Sequence, residues 1–261
     1  MRVLVVLPTY NEAENIEAIL RAIDAARERG GSIEVSVLVV DDGSPDGTAA
    51  IARRVAGEID GIHVMLRPGK AGLGTAYKEG FVWGLERGFD CLLEMDSDFS
   101  HDPGDILRLV EPLAEGFDLA VGSRYVPGGE IPDWPWYRWA ISRGGNVYAA
   151  AVLGFGIRDA TSGYRAYSAA ILSEIDLPKV KAEGYGFQIE MVRAVLDSGG
   201  KATEVPIRFV DRQKGKSKMS SKIVIEAFLL VSWWGLKKAF GAGALSCRRG
   251  RVAVSSGGEA G

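Results

Sequence analysis

Residues 96–103 read DSDFSHDP and follow the apolar run CLLEM. Asp96 and Asp98 flank a single residue, so on an extended segment both carboxylates project to the same side. Like charges at the mouth of a buried strand are either a solvated loop or the acidic half of a site for something positive. The chemistry that suits the pair is coordination of a hard divalent cation, Mg²⁺ or Mn²⁺, which takes oxygen ligands and bridges phosphate oxygens. A second constellation gathers Arg124, Arg138, Ser142 and Arg143 in and around a Trp-rich segment. The planar guanidinium fork fits phosphate oxygens. A third stretch, 208–222, carries six basic residues and one acid, Asp211. It reads as a solvated loop, or as a mobile loop that closes over a diphosphate with Arg212 and Lys218 as clamps.

A scaffold must bring these groups together, and its pattern is visible. VLVVL (3–7) is a continuous apolar run, as in a strand buried on both faces. A helix is predicted over 11–30, with Asn11 as N-cap and Gly30 as its stop. Strands over 34–40, 63–67, 90–95 and 117–123 alternate with helices over 48–57, 73–88 and 105–116. This predicts an α/β fold with a mostly parallel sheet flanked by helices, and ligands at the carboxyl ends of the strands. The loops there are PTYNE (8–12), DDGSPDG (41–47), RPGKAGLG (67–74), DSDFSHDP and SRYVPGG (123–129). Beyond residue 124 the pattern predicts a loop over 127–139, helices over 141–156, 185–200 and 222–240, an irregular stretch over 159–168, and a strand over 201–210. A Gly/Ala/Ser/Arg-rich tail, 241–261, reads as disordered. The expected organisation is one domain over 1–220, split into 1–123 and 124–220, then a helix over 221–240 and the tail.

With 261 residues, 47% of them hydrophobic, the chain can bury a sizeable core. Its net charge of −3 gives no basic field for nucleic acid. Cys91 and Cys247 make neither a disulfide framework nor a CxxC metal pair. The N-terminal apolar run is too short for a signal peptide, and no stretch reaches the ~20 apolar residues of a spanning helix.

The loops also exclude two nucleotide folds. A dinucleotide-binding protein carries G-x-G-x-x-G after its first strand, where this chain has PTYNEAEN. A P-loop needs Ser or Thr after its Gly-Lys, where Ala71 follows Lys70. VVLPTYNEAENI (5–16), VVDDGSPDGT (39–48) and DSD (96–98) instead resemble the inverting, A-type nucleotide-sugar glycosyltransferases. RPGKAGLGTAYKEG, MDSDFSHDP, GSRYVPGG, ISRGGN, TSGYRAY, GYGFQIEM and EVPIRFVDRQKGKSKM narrow the resemblance to dolichol- or polyprenol-phosphate mannose synthases, over about 2–220. That resemblance implies transfer of mannose from GDP-mannose to a polyprenyl phosphate, with inversion and a divalent metal. The alternative is a glucosyltransferase using UDP-glucose.

The resemblance also implies roles. Asp98 is the direct metal ligand, Ser100 completes its shell, and Asp96 binds the sugar or nucleoside side. Ser97 stands where Ala is common and acts through its backbone. Tyr10 lies against the base, Glu12 near the ribose, and Pro8, Val40 and Asp42 line the nucleotide. Arg124, Arg138 and Ser142 hold the lipid phosphate. Asp41 and Asp46 shape a turn, Lys70 is a loop lysine within reach of phosphate, and His101, Asp102 and Glu190 stay unassigned. A phosphate monoester is anionic at neutral pH, so it attacks without a general base. The helix KIVIEAFLLVSWWGLKKAF, with Lys222, Lys237 and Lys238, reads as lying in the membrane interface, and Trp134, Trp136 and Trp139 as a second contact. The implied place is the cytoplasmic face of a membrane, with room for a membrane-spanning partner protein.

Overall fold

A strand with no polar alternation needs cover on both faces. In the computed structural model, which describes residues 1–212, 221–239 and 253–254, Val3–Leu7 are all fully buried within β1 (Arg2–Thr9). The chain continues as α1 (Ile16–Arg27), β2 (Glu34–Asp41), α2 (Thr48–Ala56), β3 (Ile62–Leu66), α3 (Leu73–Glu86) and β4 (Cys91–Glu94). Then come α4 (Ile106–Ala114), β5 (Leu119–Ser123), α5 (Trp136–Leu153), β6 (Arg165–Ser168), α6 (Ala169–Glu174), α7 (Tyr185–Asp197), β7 (Ala202–Pro206), α8 (Ser221–Ala239) and β8 (Ala253–Val254). They form one sheet ordered β3-β2-β1-β4-β6-β5-β7-β8. All pairings are parallel except those of β6, which runs antiparallel to both β4 and β5. The strand order reverses at β1, with β2 on one side and β4 on the other. Such a switch point opens a crevice at the strands' carboxyl ends.

Four expectations change. Asn11 does not cap α1, which starts at Ile16; Asn11 sits in the left-handed region, φ 56°. The reason is that side chains of the neighbouring loop take the amides that a helix turn would leave open. Asn11 N–H donates to Ser44 Oγ, Glu12 N–H to Thr48 Oγ1 and Ala13 N–H to Asp46 Oδ2. The supposed loop over 127–139 ends early: α5 begins at Trp136, and the Pro135 carbonyl accepts from the Arg138 and Trp139 amides. The Trp/Pro-rich composition masked a helix start, so Trp136 and Trp139 are helical. The stretch read as irregular, 159–168, contains β6, whose four residues are too few to show a period. Within 241–261, Ala253 and Val254 pair with β7; the rest of the tail lies outside the described residues.

The sheet packs between two apolar layers. One includes Leu4, Val6, Tyr77, Phe81, Tyr167 and Phe187; the other includes Val3, Val5, Leu7, Ile16, Ile19 and Leu109. Helix α3 lies unusually close to the sheet because it presents glycines to it. A Cβ on Gly80 would stand 2.4 Å from Val6 Cγ1, and one on Gly84 2.8 Å from both Leu4 and Leu92. Alanine in a helix is worth up to about 1 kcal/mol over glycine, but overpacking a core costs about 1–3 kcal/mol. The second effect wins here. Gly80→Ala is therefore expected to destabilise the protein by about 1–2 kcal/mol in urea unfolding.

Candidate active site

The acidic run sits just past β4, in the crevice. Asp98 is buried, and its Oδ1 accepts the Ser100 amide at 3.0 Å. The loop turns through Phe99, a non-glycine residue at φ 62°, a conformation kept only where its surroundings hold it. Asp96 follows Glu94 by two residues, and its amide donates to His101 Nδ1 at 3.3 Å. His101 is buried and stacked on Tyr164 at 4.7 Å. Burial pushes its pKa down to about 4, so it is neutral and acts as acceptor and packing surface. The two aspartates diverge. Asp96 is driven up to about 7, by burial and then by the like charge of Asp98. Since 37% of its side chain is open, the repulsion is the firmer cause. In Asp98 burial opposes ionisation, but Arg212 and the Ser100 amide outweigh it and hold the carboxyl below its ordinary range.

Arg212 is the cation that this pair already holds. Its Nε donates to Asp98 Oδ2 at 2.7 Å, Nη2 lies 2.6 Å from the same oxygen, and Nη1 lies 3.4 Å from Glu12 Oε1. It is thus seated on the acidic floor, where the sequence placed it on a loop above. Lys218, its expected companion, lies outside the described residues. Ser100, expected as a metal ligand, supports Asp98 through its amide.

The loops after β1 and β2 form the adjoining wall. Glu12 is buried and accepts from Asn15 Nδ2 at 2.9 Å. Lys70 Nζ lies 4.9 Å from the centre of the Tyr10 ring. Pro8 and Val40 are paired in register across β1 and β2. The Val40 side chain belongs to the core, so only its backbone faces the crevice. Ser97 Oγ donates to the Pro8 carbonyl at 3.4 Å. Asp42 pairs with Arg67, which also donates to Thr75 Oγ1 and lies 3.1 Å from Glu79. Asp41 accepts from Ser44 and Thr9, and Asp46 from Thr48 and Ala13; both tie the turn.

On the other side of the crevice stand the expected phosphate-binding groups. Arg124 is buried and gripped by Asp159: its Nε and Nη2 donate to the two carboxylate oxygens, each at 2.7 Å, and Nη2 also reaches Thr161 Oγ1 at 3.0 Å. The Asp159 amide is held in turn by Glu204 Oε1. Arg138 donates to Asp211 at 2.7 Å, and its guanidinium lies 4.0 Å over the Trp134 ring. Tyr125 donates to Ser142 Oγ at 2.7 Å. Arg143, beside them, faces the Tyr125 ring and the Arg158 carbonyl. Arg138, Ser142 and Thr161 are among the lining of a cavity of about 310 Å³. Its remaining wall is largely apolar and includes Tyr137, Ile141, Tyr148, Ile189, Phe228 and Val231. The cavity lies among α5, α7 and α8, where Tyr148 stacks on Phe228 at 4.7 Å.

Asp159 and Arg67 escaped the sequence reading. Asp159 stands just before the quoted TSGYRAY, and a lone Asp there is indistinguishable from a turn residue. Arg67 stands directly after β3, at the same sheet end as Asp42. Below Asp96, Gln188 Nε2 donates to the fully buried Glu94 at 2.7 Å; burial raises Glu94 to about 7. Glu190 accepts the backbone amides of Lys181 and Ala182, and so fixes the loop ahead of α7.

The donor set suits a hard divalent cation. Asp96 and Asp98 offer carboxylate oxygens, and Asp98 already carries a positive group. Among the described residues no three His, Cys, Asp or Glu side chains cluster as a metal cage. A cation here would complete its shell from substrate oxygens and water, as Mg²⁺ commonly does.

A mostly parallel sheet flanked by helices, with a switch-point crevice floored by paired aspartates, is the architecture of the A-type glycosyltransferases. The family model described as glycosyl transferase family 2 matches residues 4–176. The chain belongs to that family and is a glycosyltransferase. It is 48% identical over 237 residues to the polyprenol monophosphomannose synthase of Mycolicibacterium smegmatis, covering 90% of this chain and 88% of that one. It is 48% identical over 236 residues to the undecaprenyl-phosphate mannosyltransferase of Micrococcus luteus, covering 90% and 95%. A mannosyltransferase from Pyrobaculum calidifontis, solved with GDP-mannose and Mn²⁺, shares the fold at 19% identity with a TM-score of 0.54, covering 94% of this chain and 77% of that one.

Asp159 generates the first test of the site. Burial opposes its charge, but Arg124 outweighs burial and holds its pKa below the ordinary 3.8. A depressed carboxyl adds stability above its unfolded pKa, and that stability is lost as pH falls through the native one. Asp159→Asn is expected to lose about 3–5 kcal/mol at pH 7, because Arg124 stays buried without its counter-charge. Urea titrations from pH 7 to pH 3 should show a smaller acid loss in the variant than in the wild type.

Proposed function

We propose that this chain transfers mannose from GDP-mannose to a polyprenyl phosphate, with inversion, giving a β-linked polyprenyl-phosphate mannose. The observation that carries the reading is the cavity. Its polar lining includes Arg138, Ser142 and Thr161, its apolar lining comes largely from α5, α7 and α8, and Arg138 is joined to Asp211, whose neighbour Arg212 reaches the acidic floor; we call this Asp211–Arg212 link the strap. A phosphate on a long hydrocarbon is the ligand with that distribution. The names of the two relatives support mannose and a polyprenyl acceptor, and the GDP-mannose and Mn²⁺ of the Pyrobaculum structure support the donor and the metal.

In this reading Asp98 and Asp96 hold the divalent cation, which supplies charge stabilisation for the leaving diphosphate. Tyr10, Glu12 and Asp42 bind the nucleoside side. Arg138 and Ser142 hold the acceptor phosphate, and Arg124, fixed by Asp159, lies over the Tyr125 ring whose hydroxyl donates to Ser142. The acceptor is an anion already, so the chain needs to supply position and field but no base. One displacement at the anomeric carbon inverts it.

Among the described residues no helix is long and apolar enough to cross a membrane. Trp136, Ile141 and Val147 of α5 and Ile225, Leu229, Trp233 and Leu236 of α8 are exposed instead. The two helices pack together, with Gly235 close against Val152. We read their outer faces as seated in a membrane interface, the cavity opening toward the lipid. The Lys222 and Lys238 side chains lie outside the described set; Lys237 lies 5.2 Å over the Trp233 ring.

The full chain, Mn²⁺ and a short polyprenyl phosphate, given labelled GDP-mannose or UDP-glucose, should yield a lipid-extractable product from GDP-mannose alone. An α-linked product, or turnover of UDP-glucose only, would defeat the proposal. Asp98→Ala should lower the rate by on the order of 10²-fold or more, since even groups behind the metal ligands are worth 10–100-fold. Leu229→Ser combined with Trp233→Ser should reduce sedimentation with anionic vesicles by about tenfold or more.

A further inference from the structure

Asp211 and Arg212 are chain neighbours, yet they serve opposite half-sites. Asp211 accepts from Trp134 Nε1 at 2.9 Å and from Arg138 Nη1 at 2.7 Å. Arg212 donates to Asp98 at 2.7 Å and lies beside Glu12. The segment leading to them is pinned by backbone bonds: Phe209 N–H to the Glu130 carbonyl at 2.9 Å and Val210 N–H to the Ser100 carbonyl at 3.3 Å. The two side chains therefore bridge the crevice from a fixed base, and neither can shift far without moving the other.

We propose that this dipeptide is a pair of internal stand-ins that couples the two half-sites, with Asp211 as its positioning residue. The Asp211 carboxylate occupies the arginine meant for the acceptor phosphate, and the Arg212 guanidinium occupies the aspartate meant for the cation. Filling one half-site loosens the strap over the other. The identity of the two ligands rests on the function proposed above; the bridge itself rests on the contacts.

The two ends differ in strength, which sets the direction. Arg138 and Asp211 are 41% and 40% exposed, and a pair so open is weak. A phosphate monoester carries nearly two charges and three acceptor oxygens, and it displaces a single carboxylate from arginine. Arg212 and Asp98 are 21% and 7% exposed. That end is better shielded and holds its partner more firmly. The acceptor phosphate is therefore the ligand that opens the strap, and the cation is the one that benefits. Asp98 then faces the cation, and Arg212 is freed to meet diphosphate oxygens.

The test is Mn²⁺ binding by the full chain, read from the electron paramagnetic resonance of the free ion, with and without geranyl phosphate. In the wild type, geranyl phosphate should tighten Mn²⁺ binding about 5- to 10-fold, and Mn²⁺ should tighten geranyl phosphate by the same factor. Asp211→Asn should bind Mn²⁺ tightly without geranyl phosphate and gain less than about 2-fold from it. Asp211→Glu, which keeps the carboxylate, should restore the coupling, and this separates the bridge from a general loosening of the fold. An Asp211→Asn protein with wild-type Mn²⁺ affinity and wild-type response overturns the coupling alone. A wild type that binds no Mn²⁺, even with GDP present, overturns the proposed function and the coupling with it.

Discussion

Two carboxylates placed side by side in a shielded crevice cannot both stay ionised without a positive partner, and much of this site follows from that requirement. Asp98 meets it through Arg212, and its neighbour Asp96 is pushed toward the neutral form. The same rule runs through the rest of the crevice. Asp42 has Arg67, Arg124 has Asp159, and Arg138 has Asp211. The site is thus a series of charges neutralised by other residues, and each such neutraliser occupies a position that a charged ligand could claim. The shielded pairs, Asp42–Arg67, Arg124–Asp159 and Asp98–Arg212, add little net stability, but breaking one is costly, whereas the open Arg138–Asp211 pair is weak.

The fold sets these pairs at the right separation by one topological device. Between the parallel strands β4 and β5 the chain inserts the antiparallel β6. The loop entering β6 carries Asp159, Thr161 and Gly163. Around Gly163, the His101 ring, the Gln188 amide and the Asp96 carboxylate all come within 3.9 Å of where a Cβ would stand. The entering loop therefore packs directly against the acidic floor on one side and grips Arg124 on the other.

The N-terminal half of the fold was legible because its signals are strong and local. Buried parallel strands are apolar runs, their helices have apolar spacing, and the loops after β1, β2 and β4 carry marked residues. The later half was harder for stated reasons. The start of α5 is hidden by Trp and Pro, β6 is only four residues long, and Asn11 looked like a cap because its real partners lie 33 positions away. The same limit applied to the site. Asp98, Arg124, Arg138 and Ser142 were recognisable by type and motif. Their partners Asp159 and Asp211 were not, since an ion pair across 35 or 73 positions leaves no local trace.

The placement of β6 also bears on how the protein must be made. Until residue 168 has been synthesised, β4 has β1 on one side and an open row of amides and carbonyls on the other. An unpaired inner strand with an apolar face is a template for unwanted pairing. The first 123 residues, although they hold five strands of the sheet, therefore emerge from the ribosome with their middle unsealed. The short reversed strand β6 supplies the missing partner on that edge, and the loop that enters it packs against the acidic floor.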